Sequence, residues 1–179
     1  MFPIRRQAKT MLCVESGSTP VIIQLKVVQL LLAARGESME IREGQNCVTI
    51  EPVDRVPVDL PSAGDVELSV EVGSEQFSGH GFAWVAAPAL AAFLAQLRQL
   101  ETRRQGEATI EGLSPEEFRL RIWSVDRRGH MAVGGMVTKR IHKGEGGPYR
   151  HAVEFGFEFD PTLLPRVLAR FQAIAEGRG

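Results

Sequence analysis

Residues 124–147 hold the side chains whose types and spacing could do chemistry. The stretch reads SVDRRGHMAVGGMVTKRIHKGEGG, with Asp126 and His130 four positions apart. A carboxylate beside an imidazole can transfer protons when a nucleophile or substrate lies within hydrogen-bond reach. No nucleophile accompanies this pair in the sequence, whereas an aspartate that opens an Asp-Arg-Arg-Gly turn is typical of a β-hairpin. We therefore predict that Asp126 forms a turn and His130 begins a strand, and that neither is catalytic.

Histidine and glutamate residues could also bind a metal ion or hydrolyse a sugar. No two of the four histidines have the short spacing of common zinc sites. They are His80, His130, His142 and His151. Glu154 and Glu158 share one face of a predicted strand, and paired carboxylates can hydrolyse glycosidic bonds. Because no other site signal accompanies them, we interpret them as the solvated side of a strand, and we predict no metal, cofactor or catalytic residue.

Basic residues gather at the end of this stretch and just beyond it. They are Lys139, Arg140, Lys143 and Arg150. Such a cluster can bind nucleic-acid phosphates, but only Tyr149 adds an aromatic side chain nearby, and the formal net charge of the chain is −1. We therefore treat RNA or DNA binding as the weaker alternative to a solvated hairpin end or a contact for an acidic protein surface.

Acidic residues gather in an earlier stretch. Between residues 40 and 75 the sequence has nine acidic side chains, against Arg42 and Arg55 as the basic ones. We therefore expect the molecule to present one acidic and one basic region, although its total charge is nearly balanced.

The composition is that of a globular protein with a sizeable core. The chain has 179 residues, of which 44% are apolar and 24% are charged, and this length fits one domain. Cys13 and Cys47 match no metal spacing, which favours a reducing compartment. The most apolar run, residues 21–34, contains polar side chains and is too short to span a membrane. We therefore predict a cytoplasmic protein that does not associate with membranes.

Residues 1–38 differ from the rest of the chain, because most of them show neither strand nor helix periodicity. The codons of Arg35, Gly36 and Glu37 can form a purine-rich sequence resembling a bacterial ribosome-binding site just before Met39. One interpretation is therefore that residues 1–38 are a non-native or poorly ordered extension and that the protein starts at Met39. The other is a natural N-terminal helix packed on the domain. In both cases we predict that residues 39–179 form a single α+β domain.

Two helices and several strands follow from the spacing of apolar residues. The segment APALAAFLAQLRQLETRRQG predicts a helix in which Pro88 suits the first turn and Gly106 marks the end. Asp160 is a good N-cap and Pro161 a good first residue for the last helix. The alternating segments DVELSVEVG, EFRLRIWSV and RHAVEFGFEFD predict half-buried strands. Two glycines inside QFSGHGFAWV indicate a bulge or the close approach of another backbone.

The order of these elements is strands, helix, strands, helix, without the βαβ alternation of a parallel sheet. We therefore predict an α+β fold: a largely antiparallel β-sheet with two amphipathic helices packed on one face. The other face is expected to be polar and to carry Glu67, Glu71, Arg119, Arg121, Trp123, Glu154 and Glu158. We predict Arg119, Arg121 and Trp123 as the main contacts for a partner, since arginine and tryptophan are favoured at interface hot spots.

A series of short motifs runs from residue 65 to residue 175. A helix pattern L..F...L..L is followed by a GEA.I strand, an EF.L.I...D..GH hairpin and a strand-to-helix ending F.FE.D...L. In these motifs the chain resembles the WapI family of bacterial immunity proteins and related families. The resemblance implies a cytoplasmic protein that binds and neutralises a toxin domain, and it implies no catalytic motif.

The leading hypothesis is a non-enzymatic protein-binding module of the immunity type, with a toxin domain as its protein partner. Its contact surface would be the exposed sheet face together with residues 139–151. The alternative is a small-ligand-binding protein or an enzyme of unknown reaction, with a pocket that brings together His80, His130 and Glu154. A nucleic-acid-binding regulator is a third hypothesis and predicts strongly salt-dependent binding. A homodimer through an exposed strand edge is compatible with the pattern.

Overall fold

The computed structural model describes residues 38–114, 116–142 and 148–178. The prediction about residues 1–38 therefore lies outside the described residues except for Ser38, and the first strand begins at Met39. The strands are β1 (Met39–Glu43), β2 (Asn46–Arg55), β3 (Val66–Ser74), β4 (Phe77–Val85), β5 (Glu107–Glu111), β6 (Phe118–Ser124), β7 (Met131–His142) and β8 (Pro148–Phe159). The helices are α1 (Ala87–Arg103) and α2 (Leu164–Glu176), and a 3-10 turn (Pro161–Leu163) precedes α2. Among the described residues, no helix has the length and apolar character needed to cross a membrane.

The strands form two antiparallel sheets of four strands each. The first sheet has the order β1-β2-β3-β4 and the second has the order β5-β6-β7-β8. Each sheet is therefore a meander of consecutive strands, and α1 connects the two. The α+β class and the antiparallel pairing are confirmed. The division into two sheets was not predicted, because alternation shows which residues share a face of one strand but not which strands are neighbours.

One hydrophobic core is formed by the inner faces of both sheets and the apolar sides of both helices. Leu68 of the first sheet and Leu120 of the second are both fully buried in it. From α1 the core takes the predicted stripe of Leu90, Phe93, Leu94, Leu97 and Leu100. The ring of Phe93 meets that of Phe171 of α2 edge to face, with the centroids 4.9 Å apart. Because each sheet turns its inner face to this core, each has an outer face that is left for solvent or for a partner.

Two glycines of β4 allow the sheets to approach each other closely, as the sequence indicated. A Cβ atom at Gly79 would lie 2.6 Å from Cγ2 of Val153, and one at Gly81 would lie 2.7 Å from Cγ2 of Val137. The Gly81 position also lies 3.4 Å from the backbone oxygen of Thr138. Since real Cβ contacts are not this short, β4 packs against β7 and β8 only because these two positions carry no side chain.

The two ends of α1 depend on groups that are distant in sequence. The first turn has no capping side chain of its own, and the buried carboxylate of Asp65 accepts a hydrogen bond of 2.8 Å from the Ala87 N–H instead. At the other end Arg104 takes a left-handed conformation with φ 55°, and its N–H bonds to the Leu100 carbonyl. The helix therefore ends before Gly106, the predicted stop. A 2.7 Å bond from the Arg104 guanidinium to the Pro161 carbonyl helps to hold this residue in place.

The entry into α2 follows the predicted capping chemistry. The carboxylate of Asp160 accepts a hydrogen bond of 2.8 Å from the Thr162 N–H, and this bond lowers the pKa of Asp160. The capped turn is a 3-10 turn that begins at Pro161, and the regular α-helix begins three residues later at Leu164. The predicted start is therefore confirmed, while the first turn is tighter than expected.

Candidate functional site

The outer face of the second sheet carries the predicted contact residues, and we name it the arginine–tryptophan face. Strand pairing places Arg119, Arg121 and Trp123 of β6 side by side with residues of β5 and β7. The whole face consists of Glu107, Thr109, Glu111, Arg119, Arg121, Trp123, Ala132, Gly134, Met136, Thr138, Arg140, Arg150, Ala152, Glu154, Gly156 and Glu158. The three predicted contact residues thus lie together, because alternate residues of one strand always share a face.

The centre of this face is an ordered group of three side chains. The Arg121 guanidinium binds Oε2 of Glu107 through Nε at 2.9 Å and Nη2 at 2.5 Å. Its Cζ atom also lies 4.8 Å from the ring centroid of Trp123, a cation–π distance. The Trp123 ring also lies close to Gly134, where a Cβ atom would be only 3.2 Å from Cη2. Trp123 therefore packs against both a guanidinium and a stretch of backbone without a side chain.

Paired glycines open a shallow recess next to Trp123. Gly134 of β7 and Gly156 of β8 are directly opposite each other, so the side-chain layer has a gap between the two strands. The recess has a volume of about 470 Å³, and Arg119, Glu154 and the Trp123 ring contribute to its walls. With both carboxylates and guanidinium groups around an aromatic ring, it can receive a polar or charged side chain of a protein partner. Neither glycine was predicted to shape a site, because a single sequence does not show which residues of neighbouring strands lie opposite each other.

The predicted basic cluster is divided by the strand geometry. Arg140 and Arg150 are opposite each other on the arginine–tryptophan face, which places like charges side by side. The Arg140 guanidinium lies 3.0 Å from Glu116 and 3.8 Å from Glu117, while Nη2 of Arg150 lies 3.1 Å from Sδ of Met136. Each arginine therefore extends toward a separate neighbour.

Of the remaining two members of the basic cluster, Lys139 lies within the described residues and Lys143 lies outside them. Lys139 is adjacent to Arg140 in β7 and so lies on the opposite side of the strand, where it pairs with His151. There it borders a recess of about 510 Å³ together with His80, Gly79 and Arg150. Arg150 therefore adjoins Arg140 in the strand ladder and Lys139 in the recess, while Arg140 and Lys139 face opposite sides of β7.

Asp126 and His130 form the turn between β6 and β7, as the sequence predicted. Oδ1 of Asp126 accepts hydrogen bonds from the N–H groups of Arg128 at 2.8 Å and His130 at 3.3 Å. Its Oδ2 lies 2.8 Å from Nδ1 of the His130 ring. Burial acts to raise the pKa of Asp126, but the hydrogen bonds from the backbone of His130 and Arg128 outweigh it, so the pKa lies below its ordinary value. Both oxygens of the Asp126 carboxylate are thus engaged within the turn, which they stabilise.

The residues of the alternative enzyme hypothesis lie in separate places. His80 borders the recess near Lys139, Glu154 borders the recess near Trp123, and His130 is bound to Asp126 in the turn. The structure does not bring these three residues to one pocket. Within the described ranges, no cluster of three or more histidine, cysteine or carboxylate side chains has the arrangement of a metal site.

The outer face of the first sheet has a different character, and we name it the acidic face. It consists of Glu40, Arg42, Cys47, Thr49, Glu51, Glu67, Ser69, Glu71, His80, Phe82 and Trp84. The sequence analysis had placed Glu67 and Glu71 on one face with Arg119 and Arg121. That placement was wrong, because the two pairs belong to different sheets.

The comparison with known families agrees with the motifs noted in the sequence. The family model described as "Immunity protein WapI-like family" matches residues 40–177. The match covers both helices and all eight strands except Met39, the first residue of β1, and thus both outer faces. No curated protein matches the chain. Since the match extends over far more than half of the sequence, the chain belongs to the WapI-like family of immunity proteins.

Proposed function

We propose that this protein is a non-enzymatic immunity protein that binds a toxin domain through the arginine–tryptophan face and thereby neutralises it in the cytoplasm. The family supports a toxin as the protein partner. The observation that carries the choice of face is the ordered group of Glu107, Arg121 and Trp123 beside the open recess.

Preorganisation makes this group a suitable centre for an interface. Tryptophan and arginine dominate interface energetics when they are well packed and become desolvated on binding. Trp123 is held by Arg121 and Gly134 before any partner arrives, so little side-chain entropy remains to be lost on binding. The alternating acidic and basic side chains around it can select one partner by charge complementarity. Arg119, Arg140 and Arg150 would extend the contact along the same face.

The test requires the toxin domain itself as a reagent. Affinity purification of the full-length protein from its native host, followed by mass spectrometry, would identify a toxin domain for expression and titration. We expect the Arg121→Glu variant to bind this domain at least about thirtyfold more weakly, since a hot-spot change costs about 2 kcal/mol or more. In a host that expresses the toxin, the same variant should fail to restore growth.

A matched control separates loss of contact from loss of charge. Arg98 is an exposed residue of α1 and belongs to neither sheet, so Arg98→Glu changes the net charge equally without replacing a residue of the arginine–tryptophan face. We expect its affinity to remain within about twofold of the native value. If both variants bind as tightly as the native protein while remaining folded, the arginine–tryptophan face is not the contact surface.

A further inference from the structure

We infer that the acidic face of the first sheet is a second interaction surface, and that it binds a basic, arginine-rich surface of a protein. This inference goes beyond the proposed function, because it concerns the other sheet. It rests on three observations: carboxylates without counterions, a like-charge pair in the strand ladder, and a row of rings beside the carboxylates.

The glutamates of this face are largely unneutralised. The face has four glutamates against Arg42, whose guanidinium lies 2.7 Å from Glu40. Glu51, Glu67 and Glu71 form no ion pair with any other described residue. The face therefore keeps an excess of negative charge, which attracts a basic surface and speeds its approach.

The strand register adds a repulsive contact at the end of this face. A β-bulge after Pro52 brings Asp54 of β2 directly opposite Glu67 of β3. Like charges opposite each other destabilise a sheet, and neither carboxylate forms an ion pair with another described residue. A guanidinium from a partner would convert this repulsion into two attractive contacts. The arrangement thus costs stability in the free protein and favours the bound state.

A row of rings lies beside the carboxylates and suits arginine in particular. His80, Phe82 and Trp84 alternate along β4, with His80 opposite Glu71 and Trp84 opposite Glu67. A guanidinium placed here can pair with a carboxylate and stack on an aromatic ring at the same time. Phe82 is 51% exposed, which is unusual for phenylalanine and leaves its ring accessible to a partner.

Contacts within the face hold this row in place. Oγ of Ser69 lies 3.0 Å from Nε2 of His80, and the His80 ring meets the Phe82 ring edge to face with the centroids 4.8 Å apart. Ser69 itself is opposite Phe82 across the strands. Because these contacts exist within the free protein, the rings lose little freedom when a partner binds.

Each sheet has one tryptophan on its outer face, which allows a direct test. The chain contains two tryptophans, Trp84 on the acidic face and Trp123 on the other. The probe is a synthetic peptide of alternating arginine and glycine, titrated at low salt into the full-length Trp123→Phe variant, so that only Trp84 reports. We expect a saturable change in Trp84 fluorescence, and no such change when aspartate replaces arginine in the peptide.

Two double variants with the same charge change show whether the binding is local. The first double variant, Glu67→Lys with Glu71→Lys, reverses the charge of two glutamates on the acidic face. The second, Glu154→Lys with Glu158→Lys, reverses the charge of two glutamates with the same spacing on the second sheet. We expect the first pair to weaken peptide binding about tenfold and the second to change it by less than about twofold. Circular dichroism would verify that both variants are folded.

Three outcomes would overturn the inference. Equal losses in the two double variants would mean that the peptide responds to net charge alone. A fluorescence change confined to Trp123, in a Trp84→Phe variant, would move the site to the second sheet. Concentration-dependent sedimentation of the full-length protein that disappears with Glu67→Lys and Glu71→Lys would assign the face to a second copy of this chain. None of these measurements uses a toxin, so they can fail independently of the proposed function.

Discussion

On the second sheet arginines and glutamates neutralise one another, whereas on the first sheet glutamates outnumber the single arginine. Arg121 is bound by Glu107, and Arg140 is bound by Glu116 and Glu117. On the outer face of the first sheet, β4 contributes the rings of His80, Phe82 and Trp84 instead of arginines. Two meanders of four strands each therefore present different chemistry to solvent, one face balanced in charge and the other acidic.

The two faces also differ in how their backbones are shaped. The layer of the arginine–tryptophan face has no side chains where Gly134 and Gly156 are opposite each other, and Gly134 lines the recess beside this gap. The middle of the acidic face carries a side chain at each paired position from Glu67 to Glu71. In the proposed roles, the second sheet recognises a partner by shape and charge together, while the first sheet acts mainly through charge.

The largest expected effect tests how strongly the second sheet depends on glycine. A Cβ atom at Gly135 would lie 2.0 Å from the backbone oxygen of Arg119, so the Gly135→Ala variant must displace a neighbouring strand. We expect the free energy of unfolding to fall by about 3 kcal/mol, measured by urea denaturation. The recess and the Trp123 environment should be disturbed with it.

The matched control for this change lies in the same sheet. A Cβ atom at Gly156 would lie 3.8 Å from its nearest neighbour, the backbone oxygen of Val133, which is an ordinary contact. We expect Gly156→Ala to alter the free energy of unfolding by less than about 1 kcal/mol. If both alanine variants lost a similar amount of unfolding free energy, the close approach of the Arg119 backbone to Gly135 would not be what makes a glycine necessary there.

A smaller effect compares the electrostatic potentials of the two faces directly. We expect caesium to quench Trp84 more efficiently than iodide does, because the surrounding glutamates attract cations. For Trp123 we expect iodide to quench relatively more efficiently than it does for Trp84, because the Arg121 guanidinium lies over the Trp123 ring. The ratio of the two quenching constants should differ roughly twofold between the Trp123→Phe and Trp84→Phe variants at low salt.

Salt provides the internal control for the quenching measurement. At about 0.5 M salt the Debye length falls to roughly 4 Å, so the two ratios should converge. Ratios that already agree at low salt would show that the faces do not differ in potential, which would weaken the inference about the acidic face as well.

The smallest effect concerns the turn that joins β6 and β7 on the second sheet. Hydrogen bonds to Asp126 place its pKa below the ordinary value in the folded protein. A lowered folded-state pKa stabilises the protein above the ordinary carboxyl pKa of about 3.9, and this contribution is lost as the pH falls through the folded-state pKa. We expect Asp126→Asn to remove this part of the acid sensitivity when urea denaturation is repeated from neutral to strongly acidic pH. Parallel stability curves for the two proteins would show that the turn does not depend on the charged carboxylate.

Several features of the fold could be predicted from local patterns. The stripe of α1, the alternation of β3 and β6, the Asp160 cap and the Asp126 turn depend on residues close in sequence, and all are confirmed. The end of α1 was placed too late, because Arg104 is held by a carbonyl that is far away along the chain. Gly79 and Gly81 were predicted to mark a bulge or the close approach of another backbone, and the structure shows a close approach in which the nearest atoms belong to the side chains of Val153 and Val137.

The candidate site could be predicted only in part, because it also depends on contacts between residues that are far apart in the sequence. The grouping of Arg119, Arg121 and Trp123 follows from alternation within β6. The support from Glu107 and Gly134 comes from neighbouring strands, and the separation of Lys139 from Arg140 depends on which side of β7 each residue faces. Strand neighbours and register are set by packing between distant segments, which a single sequence does not display.

The sequence by itself determined the class of fold, the buried side of each long element, the main turns and the family resemblance. These depend on periodicity and on capping and turn chemistry, which act over a few residues. Only the tertiary structure decided that the strands form two sheets and that Glu67 and Arg121 therefore lie on different faces. Burial of apolar area drives the sheets together, but it does not specify which residues of two strands lie opposite each other. The charged residues that share a face are therefore decided only when the strands have paired in register.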